Sequence, residues 1–450
     1  MAKLPLEGVR IIDSTYVVAM PYAMGMATDL GAEVVKIEGP AHVDTTRGVG
    51  TRPGPDGLQG DGDHWNRAVG FNQMNRGKRS LTLDLSRPEG REVFIELVRV
   101  SDVVVDNYTP RVMRRWGLDY PNLRKVKPDL VMISNTAYGY GEGPYSSYPG
   151  QATTMEATHG LAWITGYQGD IPGKAGRSYV DFLSAWSGLF ALATALRRRN
   201  RTGRGQWIDL AMYQLACTFV GEYITDYVAN GRVGERMGNR HPWRLQGCYP
   251  CADDDQWCVL SVGDDAEWAA LCASMDRPDL AGDPRYATAL RRRTRQDDLD
   301  CEIAAWTRTL PKWDAAHRLQ QAGIPCGPVL TTGERMLDEH AWAHGFLEKV
   351  TAPPERGLGT RVLMGRPYRM SKAPARIRGF APALGDGNDH YLKGVLDISS
   401  RRIAELEAKD VVNTVPTQVR NGDTRTAQER GGGGMVDARL DPDYKAKLGI

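Results

Sequence analysis

The chain has 450 residues, 41% hydrophobic and 25% charged, an ordinary globular composition with enough length for two folding units. Lys and Arg (57) nearly balance Asp and Glu (55), so no global field recruits nucleic acid or an anionic membrane, and any bound anion must meet local cations. With no basic-then-apolar leader and no run of eighteen apolar residues, a cytoplasmic protein without membrane contact is expected.

Residues 9–13 (Val-Arg-Ile-Ile-Asp) predict a buried strand, 21–30 an Ala- and Met-rich helix, and 31–38 (Gly-Ala-Glu-Val-Val-Lys-Ile-Glu) a second strand, together a βαβ unit. The alternation continues with a strand at 80–85, a helix at 88–98, and strands at 103–106 and 130–134. This predicts a parallel sheet covered by helices, with ligands gathering past the carboxyl ends of its strands, at 13–19, 38–40, 106–110 and 134–140. A helix is expected over 181–199, ending in the basic cluster Arg197 to Arg201, and another over 208–230. From Cys248 the texture changes to short strands around 256–262 and helices at 266–275, 299–306 and 312–322, a smaller domain. The boundaries expected are 1–225 for the first part of a large domain, 226–330 for the small domain with its linkers, 331–412 for the return to the large domain, and 413–450 for a polar, poorly ordered tail containing Gly431 to Gly434. Seven cysteines fit a reducing compartment. Cys248-x-x-Cys251 with Cys258 lacks a second ligand pair, so no metal site is expected.

Several common chemistries are excluded by absence. The turn after the first strand, Asp13 to Pro21, has no G-x-G-x-x-G, and the chain has neither a P-loop nor a G-x-S-x-G elbow. What remains at the strand ends is cationic and aromatic. Asn75-Arg-Gly-Lys-Arg-Ser80 and Asn107-Tyr-Thr-Pro-Arg-Val-Met-Arg-Arg115 offer cations for phosphates and a tyrosine for stacking.

Leu6-Glu-Gly-Val-Arg-Ile-Ile-Asp13, Asp29-Leu-Gly-Ala-Glu-Val-Val-Lys-Ile-Glu38, Asn75-Arg-Gly-Lys-Arg-Ser-Leu-Thr-Leu-Asp84, Val105-Asp-Asn-Tyr108, Arg201-Thr-Gly-Arg-Gly-Gln-Trp-Ile-Asp209, Gln321-Ala-Gly-Ile-Pro-Cys-Gly-Pro-Val329 and Ala381-Pro-Ala-Leu-Gly385 resemble the motif series of family III CoA-transferases. This is the carnitine/bile-acid inducible group that includes formyl-CoA and crotonobetainyl-CoA transferases and the fold-related 2-methylacyl-CoA racemases. The resemblance implies an α/β fold with a Rossmann-like large domain and a small α+β domain, in two subunits threaded through each other as an interlocked dimer. It further implies coenzyme A or acyl-CoA as substrate with no tightly bound cofactor, and a carboxylic acid as the other substrate. Carried over by position, Tyr16, Val17 and Ala19 would line the first CoA-contacting turn, and Lys78, Asn107, Tyr108 and Arg115 would meet the nucleotide and its phosphates. Gly39 stands where family members often carry a basic residue.

In working members an aspartate attacks the donor thioester, and the carboxylate then carries the activated acyl group. That aspartate stands in a Gly-Tyr-Asp-x-x-x-Gln-Ala-x-x-Gly segment. Laying Glu156-Ala157-x-x-Gly160 on its second half puts Ala152 at the aspartate position, after Gln151. Alanine cannot be acylated. The chain therefore resembles the non-catalytic subunit of two-gene transferases such as succinyl-CoA:benzylsuccinate CoA-transferase, dimerising with an Asp-bearing paralogue or with itself. Three alternatives stay open: Glu156 as replacement nucleophile one helical turn onward, a carboxylate elsewhere such as Asp181, or a non-enzymatic acyl-CoA-binding scaffold. A racemase is the weakest reading, because the His-Asp pair is missing. His159, Trp163 and Tyr167 are read as packing or pocket residues.

Overall fold

The computed structural model describes residues 3–48, 63–176, 179–422 and 441–450. Gly431 to Gly434, and Arg177 beside Asp181, lie outside the described residues. The chain divides into two compact units. The larger comprises 1–160, 176–222 and 336–450, and the smaller 161–175 and 223–335.

The larger unit is built on six parallel strands, β1 (Arg10–Ser14), β2 (Glu33–Glu38), β3 (Arg79–Thr82), β4 (Val103–Asp106), β5 (Val131–Thr136) and β6 (Gln206–Ala211). Their spatial order is β3-β2-β1-β4-β5-β6, the doubly wound arrangement whose direction reverses between β1 and β4. Strand alternation divides the apolar side chains between two cores. Ile12, Val35, Val104 and Met132 face helix α2 (Pro88–Arg99) through Val93, Phe94 and Leu97. Ile11, Val34, Val103, Val105, Val131 and Ile133 face helices α1 (Ala19–Asp29) and α5 (Tyr179–Thr202); along the chain α3 (Pro110–Trp116) and α4 (Ala152–Thr158) come between α2 and α5. Burial of both sheet faces explains why these strands read as continuous apolar runs.

Helix α1 begins two residues before the expected position, because Pro21 is tolerated in a first helical turn, where no backbone donor is required. Helix α5 has the length and mean hydropathy (1.3) of a membrane span, but it packs on α1. A Cβ at Gly188 would stand 2.9 Å from Met20 Sδ. The helix expected over 208–230 is corrected: Gln206–Ala211 is strand β6, followed by helices Met212–Phe219 and Gly221–Asn230. Gly205 lets this strand enter, since a Cβ there would lie 2.0 Å from the Leu130 carbonyl oxygen.

The last third of the chain returns to the sheet edge. Asp386 accepts from Ser80 N–H (3.1 Å) and Asn388 from Thr82 N–H (2.9 Å), while Gly387 N–H donates to Ser80 O (2.8 Å). These bonds satisfy the outer side of β3, which would otherwise be an open edge. Residues beyond 412 continue on the same unit: Asn413 N–H donates to Thr82 Oγ1 (3.1 Å) and Thr417 N–H to Pro40 O (2.9 Å).

The smaller unit has its own core around an antiparallel sheet of β7 (Leu245–Pro250), β8 (Trp257–Val262) and β9 (Cys326–Pro328), in that order. Strand alternation places Cys248 on the face opposite Tyr249 and Cys251.

Candidate functional site

The carboxyl ends of β1, β2 and β4 enclose a cavity of about 510 Å³, lined among others by Tyr16, Gly39, His42, Tyr108, Arg115 and Trp116. Tyr16 and Tyr108 stand 5.7 Å apart, and Tyr108 meets Trp116 edge-on at 5.3 Å. The wall is therefore a series of aromatic faces beside an exposed guanidinium, that of Arg115. Burial holds the hydroxyl protons of Tyr16 and Tyr108 far more tightly than usual, and the neighbouring acidic side chains add to this, so both rings stay neutral.

Asn107 bridges the reversal point of the sheet. Its Oδ1 accepts from Tyr16 N–H (2.9 Å) and its Nδ2 donates to Tyr16 O (2.8 Å). That reciprocal pair fixes the β1 turn against the β4 turn, so Asn107 positions Tyr16 beside the cavity. Val17 follows at φ 74, a left-handed conformation that costs a β-branched residue roughly 1–3 kcal/mol. It is held there by Asp44, both of whose carboxylate oxygens accept Val17 N–H at 3.2 Å. Asp44 is itself paired with buried Lys36 at 3.0 Å.

Lys78 lies inside the fold. Its ammonium donates to Asp13 Oδ2 (2.6 Å), Pro21 O (2.8 Å) and Asn75 Oδ1 (2.8 Å), which uses all three hydrogens. Burial, only partly offset by Asp13, pushes its pKa down to about 8. The geometry thus brings Tyr16, Tyr108 and Arg115 together on one cavity, with Asn107 supporting it and Lys78 tying β1 to α1 beneath it. Gly39 allows β2 to close against the next turn, since a Cβ there would come within 3.3 Å of Asp84 Cα. Trp116 and Gln418 also line the cavity and were missed. The signal for Trp116 was its place directly after Arg115, whereas Gln418 lies in a stretch whose composition reads as tail.

The segment around Ala152 lies after β5. Gln151 caps α4 reciprocally with Thr154, and Ala152 is the first helical residue. Glu156 is buried, with 1% of its surface exposed. Asp181, at the start of α5, is pushed up to about 6, mainly by burial and further by the charge of Glu156, against a hydrogen bond from Ala19 N–H. Ala19 therefore faces Asp181 through its backbone, where the carboxylate meets the first turn of α1. His159 is buried, its Nδ1 contacts Met155 O, and burial lowers its basicity. In the smaller unit Trp163 Nε1 donates to Gly234 O (2.8 Å), and Asn239 donates to the Tyr167 hydroxyl (3.1 Å).

A parallel sheet with an aromatic cavity at its reversal point is the architecture of an α/β protein that takes ligands past its strand ends. The sequence matches CoA-transferase family III over residues 6–388, and the chain belongs to that family. It is similar to the alpha subunit of succinyl-CoA–L-malate CoA-transferase from Chloroflexus aurantiacus, 29% identical over 411 residues that cover 91% of this chain and 93% of the relative. It is also similar to the beta subunit named for the same enzyme in that species, 31% identical over 412 residues, 91% and 98% covered. Among solved structures it is similar to a CAIB/BAIF family protein from Brucella suis, with a TM-score of 0.77 and 28% identity over 88% of this chain and 100% of that one. The α/β family III fold expected from the motif series is the fold observed.

Proposed function

We propose that this chain is the subunit without the nucleophile in a CoA-transferase assembly that moves CoA between carboxylic acids, paired with an Asp-bearing paralogue in an interlocked dimer. The observation that carries this reading is Ala152 at the first position of α4, where the family motif has its aspartate. Similarity to proteins named as alpha and beta subunits of one transferase supports it.

In this reading the cavity receives the nucleotide end of CoA. The adenine lies against Tyr16 and Tyr108, and Arg115 meets a phosphate with a charge-assisted hydrogen bond. Lys78 and Asn107 act by holding the β1 turn. The partner's aspartate attacks the thioester carbonyl, the C–S bond breaks, and the released thiolate attacks the resulting anhydride to leave the acid and an enzyme-bound thioester. The acceptor carboxylate attacks that thioester and expels the thiolate, which then attacks the acceptor carbonyl of the new anhydride, so that the acceptor leaves as its CoA ester and the aspartate is freed. This chain binds and orients, and its own acidic cluster does not enter the step. Arg115→Ala is expected to weaken CoA binding about tenfold or more, from the loss of roughly 1.5–3 kcal/mol, read by calorimetry on the purified chain. An unchanged affinity would remove the nucleotide from this cavity.

Glu156 offers the second reading, favoured by its place one turn from Ala152 beside Asp181 and His159. Its 1% exposure argues against it, because a nucleophile must reach the acyl carbon. Incubating the chain with acyl-CoA and hydroxylamine separates the two. We expect no hydroxamate from this chain alone, and trapping only after co-expression with an Asp-bearing partner, on the partner's aspartate. Ala152→Asp is expected to restore trapping without a partner. Label on Glu156 would replace the proposal with the second reading. No trapping in any combination, with CoA still bound, would leave a scaffold subunit.

A further inference from the structure

The cavity at the reversal point has a wall that comes from beyond the family match, which spans residues 6–388. Gln418 lines it together with Tyr16, Tyr108 and Arg115. The arm that carries Gln418 is tied to the ends of two neighbouring strands. Asn413 N–H donates to Thr82 Oγ1 (3.1 Å) at the end of β3, and Thr417 N–H donates to Pro40 O (2.9 Å) just past β2. Pro416 between them is buried. Asp410, at φ 54, gathers the arm from its other end, accepting from Thr417 Oγ1 (2.8 Å) and pairing with Arg420. These bonds hold the short helix Thr417–Arg420 against the cavity, so Gln418 is presented there by a fixed element.

A nucleotide held only by the two tyrosines and Arg115 would be held without regard to its base. Every base has a π-face that stacks, and a guanidinium on a phosphate carries no base information. Discrimination needs a group that meets the edge of the base. Two other polar side chains at the cavity are committed elsewhere: Tyr16 Oη donates to His42 O (3.0 Å), and Asp84 Oδ1 accepts from Ser86 N–H (2.9 Å) and Ser86 Oγ (2.6 Å). Among the described residues, Gln418 is the only amide side chain that lines the cavity, and an amide presents a donor and an acceptor side by side. That pair matches adenine, whose exocyclic amine donates beside the accepting N7. Guanine shows two acceptors, O6 and N7, in the same place.

We propose that Gln418 is a specificity-determining residue of this cavity, reading the edge of an adenine whose faces Tyr16 and Tyr108 cover. The role rests on the nucleotide end of CoA occupying the cavity, as proposed above. Stacking and the Arg115 contact then supply affinity, and the amide supplies the choice of base. The C-terminal arm is thereby a working part of the binding site, in a stretch that the family match does not reach.

Calorimetry of the purified full chain with ADP and with GDP tests this, because the two probes differ only in the base. The wild-type chain is expected to bind ADP about tenfold more tightly than GDP, the discrimination of one good bidentate pair. Gln418→Ala should weaken ADP by about that factor and leave GDP unchanged, so that the two affinities meet. In Gln418→Glu the carboxylate can only accept, which suits the guanine N2 amine and not the adenine N7, so the preference should turn towards GDP. A preference that turns over cannot come from a misfolded arm, which would lower both affinities together. Arg115→Ala, by contrast, should weaken ADP and GDP alike. Equal affinities of the wild-type chain for ADP and GDP, or an unchanged ratio in Gln418→Ala, would overturn the role of Gln418 and leave a nucleotide site standing. Absence of ADP binding would remove the nucleotide from the cavity and overturn both.

Discussion

Arg47→Met is expected to destabilise the larger unit by about 3–5 kcal/mol, the usual consequence of stranding a buried charge. Arg47 has no exposed surface. Its Nε and Nη2 donate to the two oxygens of Glu38 at 2.8 and 2.7 Å, its Nη1 donates to Asn66 Oδ1 at 2.9 Å, and its guanidinium lies 3.7 Å from the Phe71 ring centre. Methionine fills much of that volume but leaves the equally buried carboxylate of Glu38, among the described residues, with the backbone donor Asp44 N–H at 2.9 Å as its remaining partner. Removing both charges in Glu38→Gln/Arg47→Met should cost less than the sum of the single changes, because the double variant strands no ion. Urea unfolding followed by tryptophan fluorescence checks both points. A loss below about 1 kcal/mol for the single variant would mean that water reaches the pair. The damage should also spread to function, since Asp44 holds Val17 in its left-handed turn beside the cavity.

This network shows where sequence reasoning succeeded and where it failed. The sheet was legible because β1, β2, β4 and β5 are buried on both faces, which leaves uninterrupted apolar runs bounded by helices. β6 was not, because Gln206-Trp-Ile-Asp-Leu-Ala is only half-buried and its partner β5 lies some seventy residues earlier. The cavity was legible in part. An aromatic beside arginines on one turn, Tyr108 and Arg115, marked a surface suited to a nucleotide, and both residues line it. Lys78 was read as a phosphate contact for the same reason, yet its charge is consumed by Asp13, 65 residues away. Charge type is visible in a sequence, but the pairing that uses it up is a property of the fold. Asn107 likewise acts through two backbone hydrogen bonds that only the juxtaposition of β1 and β4 creates.

The same crossing of strands makes Asp106→Asn an expected stabilising change, and one that depends on pH. Asp106 ends β4 at the reversal point, fully buried, accepting from Ser134 Oγ at 2.7 Å. Ser134 Oγ in turn accepts from Trp207 Nε1 at 3.1 Å. Burial pushes the carboxyl up to about 7, with hydrogen bonds from Ser134 and the Tyr108 backbone opposing it. For a raised acid the sign follows from proton counts. Between about pH 4 and pH 7 the folded chain holds a proton that the unfolded chain has released, so stability falls as pH rises through that window. The full cost is present above pH 7, about 4 kcal/mol as an upper bound at 1.36 kcal/mol per pKa unit. Asparagine keeps an acceptor oxygen for Ser134 and cannot ionise. The variant should therefore be the more stable by about 2 kcal/mol at pH 8, half that bound, and should match the parent only below about pH 4, where Asp106 is protonated in the folded and the unfolded chain alike. Urea midpoints at the two pH values give the comparison directly. An equal shift at both would trace the effect to packing, and destabilisation at pH 8 would mean that the ionised carboxylate is held by partners stronger than Ser134.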